Sequence, residues 1–191
     1  MSAILARKLV DYSSLSLGNM ATVYPADHPT LAGEPFSLQE YYARHAPNGS
    51  LALLFMPISR HSQNVLASSN RSATISVADD HPDASRARVA LIGTVTIFKD
   101  LSTAPDVAAI QKCYLKQHPD ARHWLPGPRE PHIAYWARFD PHTIYYVGGF
   151  GSEHYIGYIP LEAYQTAGSV QYDQTAKNIG SGRLDEQIRI L

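Results

Sequence analysis

A mainly β, α+β fold, an antiparallel barrel with short flanking helices, is predicted by three observations. About six or seven segments carry strand periodicity, against two or three with helical period. Their order never alternates strand and helix regularly, as a doubly wound parallel sheet requires. The segment Ala87–Lys99 places Val89, Leu91, Gly93, Val95 and Ile97 on one face, with Gly93 set for the bend or bulge that lets a long strand wrap a barrel.

Each element has its own local reason. Ser2–Ser16 opens with a possible N-cap at Ser2, carries Ile4, Leu5, Leu9 and Tyr12 near helical spacing and stops at Gly18, so a helix is expected there. Met20–Tyr24 is a short strand stopped by Pro25, and a second extended piece spans Pro35–Tyr42. Leu51–Met56 is apolar on both faces, which suits a strand buried from both sides, and Pro57 closes it. Ser59–Leu66 can cap and begin a short helix, and Ala73–Val77 alternates apolar residues with hydroxyls in the period of a half-buried strand. After a loop over Asp79–Ser85, Ala87–Lys99 is read as the longest strand of the chain. Asp106–Gln117, with Pro105 before it and Val107, Ile110, Tyr114 and Leu115 at helical spacing, is the best helix and stops at His118-Pro119. His132–Phe139 and Thr143–Val147 read as two aromatic strands joined by a turn at Asp140-Pro141-His142, and His154–Ile159 as another extended piece in an antiparallel meander. From Gln165 to Leu191 the chain is polar and dotted with Gly and Ser until Ile188. Residues 166–191 are therefore expected to form a tail or a dimer arm beside a barrel domain over 1–165.

Composition removes several function classes. With 16 basic against 17 acidic side chains in 191 residues and no dense Lys/Arg block, nothing supports sequence-independent nucleic-acid binding. No window reaches the ~18 uninterrupted apolar residues of a membrane helix, since the most apolar run, Leu51–Ile58, already contains Pro57. Cys113 alone cannot make an internal disulfide, and Arg7 interrupts the N-terminal residues before a signal-peptide core forms, which points to the cytoplasm. Two sequons, at Asn48 and Asn70, point instead to a secreted or vacuolar protein if a leader preceded the chain.

Walker, HExxH, paired-Cys and Gly-x-Ser-x-Gly signatures are absent, and no acid–base pair stands out as catalytic. Gly149-Phe150-Gly151 begins like a dinucleotide loop, but His154 stands where the third Gly belongs and a strand follows. Nine histidines include none spaced for a structural metal on a helix. His61 and His154 are the two placed to line a barrel mouth. The strongest local signal is Ser59-Arg60-His61-Ser62-Gln63-Asn64. It sets two hydroxyls, a guanidinium and an imidazole where a helix begins and free N–H groups favour an anion. That pattern reads either as a phosphate clamp or as an ordinary capped helix.

The residues Ala6-Arg7, Met20-Ala21-Thr22-Val23, Ser59-x-x-Ser62-x-Asn64, Leu91-x-Gly93-Thr94-Val95-Thr96 and His118-Pro119-Asp120 with Trp124 resemble the CREG family, its fungal members in particular. That family lies within the pyridoxamine-phosphate-oxidase-like split-barrel superfamily, and the likeness runs from Ala6 to about Tyr164. Ile58–Ile75 is similar to the flavin-phosphate segment of the oxidases, with Ser59-Arg60 matching their Ser-Arg and His61 standing where they carry Lys. Ser59-x-x-x-x-Asn64 and Val147-Gly148-Gly149-Phe150-Gly151 also resemble the HugZ-type haem-utilisation branch. That branch holds iron through a histidine near its C-terminus, where this chain has none after Gln165, which leaves His154 as the nearest substitute.

The resemblance implies a six-stranded antiparallel split barrel of the PNPOx-like type. It also implies a homodimer with a planar cofactor bound at the subunit interface. Three functions follow from it. The first is an FMN-binding flavoprotein, an oxidoreductase of unspecified substrate, with Ser59, Arg60, His61 and Ser62 around the phosphate and Asn64 bracing the turn. The second is a haem-binding or haem-degrading protein using His154 or His61. The third is a non-enzymatic CREG-like dimeric binding protein whose aromatic cleft takes a partner or nothing.

Overall fold

The computed structural model describes residues 1–127 and 132–168. Helix α1 covers Ser2–Asp11, and strands β1 (Leu17–Val23) and β2 (Pro35–Tyr41) form an antiparallel hairpin in register Met20↔Leu38 and Thr22↔Phe36. β3 is a two-residue strand at Ala43–Arg44 and β4 covers Leu51–Phe55. α2 runs over Arg60–Ala67, β5 over Ser72–Ala78, β6 over Arg88–Phe98, α3 over Val107–Gln117, β7 over Tyr135–Val147 and β8 over Ile156–Ile159. Residues 161–168 are helical again. None of the described helices is long and apolar enough to cross a membrane.

The strands make one antiparallel sheet in the order β2-β1-β5-β6-β7-β4-β3, with β8 added on β7. The two ends of that path, β2 and β3, are joined by Tyr42 alone, so the sheet has to curl until its edges meet. Tyr42 fixes the corner: its N–H donates to the carbonyl of Ser16 at 3.0 Å and its hydroxyl to that of Val10 at 2.9 Å. The result is the split-barrel fold, with eight strands among the described residues where six are expected; β3 and β8 are the shortest of the eight.

Two cores lie on the two faces of the curl. Leu53, Phe55, Ile75, Leu91, Phe139 and Ile144 fill the inside, with Ala6 and Val10 of α1 closing one end. Ala52, Leu54 and Trp136 face the other way, against Ile110 and Tyr114 of α3. β4 therefore contributes alternate residues to both cores, which is why its sequence has no polar face and every residue of it is buried.

Three expectations are corrected. α1 ends at Asp11 rather than Ser16, with Tyr12 as its C-cap, and its N-cap is Met1 with no side-chain bond; Ser16 takes a left-handed φ of 46° just before β1. The turn expected at Asp140-Pro141-His142 does not exist. β7 runs through it as one strand of 13 residues, longer than the 11 of β6. The ladder pairs Ile92 with Thr143 and Gly93 with Pro141, so His142 is the extra, outward residue of a β-bulge. Pro141, which has no N–H to give, is tolerated there because the ladder is already broken. Gly93 allows the close approach: a Cβ on it would lie 2.3 Å from the Asp140 carbonyl oxygen.

The expected tail falls almost wholly on 169–191, outside the described residues.

Candidate functional site

α2 begins where Pro57 and Ile58 end the doubly buried strand. Ser59, in extended conformation, is its N-cap: its Oγ accepts from the N–H of Ser62 at 3.2 Å and donates to the Ser62 hydroxyl at 2.8 Å. The N–H groups of Arg60 and His61, the first two helical residues, have no acceptor within the helix by geometry, and the positive end of the α2 dipole lies there.

The side chains divide into two sets. Ser62, Asn64 and Val65 are buried where α2 lies on β1, and the Asn64 Nδ2 donates to the Thr22 hydroxyl at 3.1 Å. Arg60 is partly exposed, with its guanidinium carbon 5.2 Å from the centroid of the Tyr24 ring, a cation–π contact that holds the charge at the helix start. His61 is only 3% exposed. Its ring meets Phe36 edge-on at 5.0 Å, and its Nδ1 lies 3.4 Å from Oε2 of Glu40. Its Nε2 and the Asn64 Oδ1 are enclosed with no partner among the described residues.

Ser59, Arg60, His61, Ser62 and Asn64 are thus brought together on one turn, but only Ser59 and Arg60 present their side chains toward solvent. His154 is elsewhere. It is exposed just before β8, its ring lying against Gly149, where a Cβ would come 2.5 Å from His154 Cδ2. Along the sheet β5, β6 and β7 stand between β1, under α2, and β8, beside His154; His61 meets Phe36 and Glu40, whereas His154 meets Gly149. The surroundings of His154 are aromatic and open: Phe150, Tyr155 and Tyr158 are all exposed.

Sequence reasoning missed Tyr24, Phe36 and Glu40. Alternation along Pro35–Tyr42 does put Phe36 and Glu40 on one face; what it lacks is the β1–β2 register that turns that face toward α2. A cleft of about 380 Å³ opens beside the site, lined by Thr22, Val23, Pro35, Ser68, Asn70 and Thr74 among others; it touches the α2 assembly through Thr22 and does not include Arg60 or His61.

A third histidine, His118, is structural. It stacks on Tyr41 with ring centroids 4.1 Å apart, and its Nε2 donates to the Tyr42 carbonyl at 2.8 Å. Burial pushes its pKa below the ordinary imidazole value. Tyr41 in turn donates its hydroxyl to Asp120 at 3.2 Å, which holds β2 to the turn after α3. Asn48 and Asn70 are exposed on tight turns, each accepting through Oδ1 from the N–H two residues on, Ser50 and Ser72 respectively.

Residues 1–166 match the family described as CREG, beta-barrel. No curated protein matches the chain. Among solved structures, a heme binding protein from Mycobacterium smegmatis superposes with a TM-score of 0.64 at 20% identity, over 86% of this chain and 60% of that one. A protein of unknown function from Agrobacterium tumefaciens gives 0.63 at 17%, over 85% and 59%. An FAD-binding protein from Mesorhizobium loti gives 0.52 at 17%, over 76% and 94%. The chain spans about three fifths of the length of the first two. At these identities the likeness establishes the split-barrel fold.

Proposed function

The chain belongs to the CREG β-barrel family, and from that premise we propose that it binds FMN, with the phosphate on the first turn of α2, and serves as a flavin-dependent oxidoreductase. The observation that carries this reading is the Arg60 guanidinium, held on Tyr24 at the first turn of α2. A fixed cation, two unclaimed amide donors and a helix dipole in one place fit a phosphate monoester. His61 packs beneath that turn, its Nε2 enclosed with no partner among the described residues. Ser59 and Ser62 hold the turn in shape by capping it, and Asn64 braces it against Thr22. When bound, a flavin supplies electron transfer through its isoalloxazine ring; the protein supplies placement and charge.

We read the protein as a homodimer. The outer face of β7–β8 supports this: Tyr145 pairs with Tyr158 and Val147 with Ile156, and the exposed Tyr158, Ile156 and Tyr145 form an apolar patch that a second copy would cover. Light scattering at micromolar concentration tests it; a monomer contradicts it. The single Cys113, free and exposed, fits a reducing compartment.

The haem reading is kept on His154, because its exposed ring stands among exposed aromatics whereas the His61 Nε2 is enclosed. The absorption spectrum of the purified protein separates the readings. Two broad flavin bands support the first and a sharp Soret band the second. A colourless protein that takes up neither FMN nor haemin on titration leaves the cofactor-free dimer.

A further inference from the structure

Among the described residues Glu40 is the acidic group set against the first turn of α2, and the phosphate reading gives it no task. Its Oε2 lies 3.4 Å from Nδ1 of His61, a ring that is 3% exposed and has its Nε2 unpartnered. Its Oε1 accepts from the N–H of Tyr41 at 3.1 Å, so the carboxylate is tethered rather than free to swing away. The elements packed around His61 carry few other charges: β1 has none, β2 has only Glu40 and α2 has only Arg60. Beyond β2, His118 stacks on Tyr41 and is also acted on by the Glu40 charge, and Asp120 accepts from the Tyr41 hydroxyl. The field at the start of α2 is therefore made by the helix end and Arg60 on the positive side and by Glu40 on the negative side.

We infer that Glu40 is a resident counter-anion of the α2 site and sets how tightly the site holds a phosphate-bearing ligand. The inference rests on the reading of α2 as the phosphate site. A helix N-terminus and a guanidinium attract a carboxylate for the same reason that they attract a phosphate. A phosphate monoester carries about −1.5 to −2 charges near neutral pH, so an incoming one meets both that attraction and the repulsion of a carboxylate already installed. Glu40 discriminates in favour of ligands with less negative charge and makes phosphate affinity depend on salt.

The test is fluorescence titration with FMN, with riboflavin as the phosphate-free control and inorganic phosphate as competitor, on the full chain and on Glu40→Gln, Glu40→Asp and Arg60→Ala. Glu40→Gln keeps the shape and removes the charge. FMN is expected to bind roughly fivefold tighter in low salt, by the energy of one unit charge a few ångströms away in a watery medium. Phosphate should compete better by a similar factor, riboflavin should be unaffected, and the gain should shrink in high salt. Glu40→Asp, still charged, should stay near the parent. FMN uptake by Glu40→Gln where the parent shows none is the same support in stronger form. If Arg60→Ala weakens FMN while Glu40→Gln leaves it unchanged or weaker, the role of Glu40 is overturned and the site stands. If neither substitution changes FMN affinity, or no variant binds FMN, the α2 reading fails and takes this inference with it. Equal tightening of riboflavin by Glu40→Gln also overturns it, since the effect would then not act on the phosphate.

Discussion

Arg7, wholly buried in α1, donates through Nη1 to the carbonyl oxygen of Tyr164, 157 positions further along the chain, at 3.3 Å. The same nitrogen reaches the Pro47 carbonyl at 2.9 Å, Nη2 pairs with Asp11 at 2.8 Å, and the guanidinium carbon lies 5.0 Å from the Tyr164 ring centroid. Gly49 and Gly168 wall the guanidinium closely: a Cβ on them would lie 3.1 Å from Nη1 and 2.6 Å from Nη2. One side chain thus ties the first helix, the loop before β4 and the helical residues 161–168 into a single unit.

Arg7→Met is expected to cost about 3–5 kcal/mol, because Asp11 is left as a buried charge with its main partner gone. Arg44, whose Nη1 is 3.9 Å from the same carboxylate, is too distant to replace it. Urea denaturation checks the value. Adding Asp11→Leu to Arg7→Met should recover part of the loss, since the pair then leaves together; a double variant as weak as the sum of the singles contradicts the pairing.

At the bulge, Gly93→Ala drives a Cβ into the Asp140 carbonyl, a backbone atom with nowhere to go. A loss of about 1–3 kcal/mol is expected from overpacking of this kind. The Asp140 carboxylate is tied to Ser50 at 2.7 Å and to Arg138 at 2.8 Å, so the shift should also loosen the start of β4, visible as faster amide exchange at Leu51.

Stability should fall as the pH drops below about 6.5. His118 and His45 both have pKa values lowered, in each case chiefly by burial, with Arg138 adding to the effect on His45. A histidine with a depressed folded pKa contributes stability that is present above 6.5, where the unfolded chain is also neutral; it is lost between there and the lower folded value as only the unfolded chain takes up the proton. Asp11, its carboxyl pKa raised by burial, works in the opposite sense and near the carboxylate range. The urea midpoint at pH 7.5 and 5.5 measures the slope, and His118→Gln should flatten it.

Much of this fold was legible in the sequence because the signals were local. The doubly buried β4 showed in a run without a polar face, the Ser59 cap in its position before an amphipathic helix, and the Gly93 bend in an otherwise β-branched strand. The bulge at Pro141 and His142 reads as a turn in the sequence because Asp-Pro is turn chemistry, and only the facing Gly93, far away in sequence, makes it a strand. The candidate site was half legible. Ser59 to Asn64 lie on one turn and can be read together. The residues that decide how they face, Tyr24, Phe36 and Glu40, depend on the register of a hairpin that no short motif reports. Arg7 gave no sign of its burial, since its partners lie 4, 40 and 157 positions away.

The most direct measurement on the central claim is the affinity of the full chain for FMN set against that of Arg60→Ala. Loss of the guanidinium on Tyr24 should weaken binding by about 1.5–3 kcal/mol, roughly ten- to hundredfold, the scale of a charge-assisted hydrogen bond. Riboflavin, which lacks the phosphate, should bind both proteins alike. Equal FMN affinity in the two proteins would place any flavin phosphate away from the first turn of α2 and contradict the account.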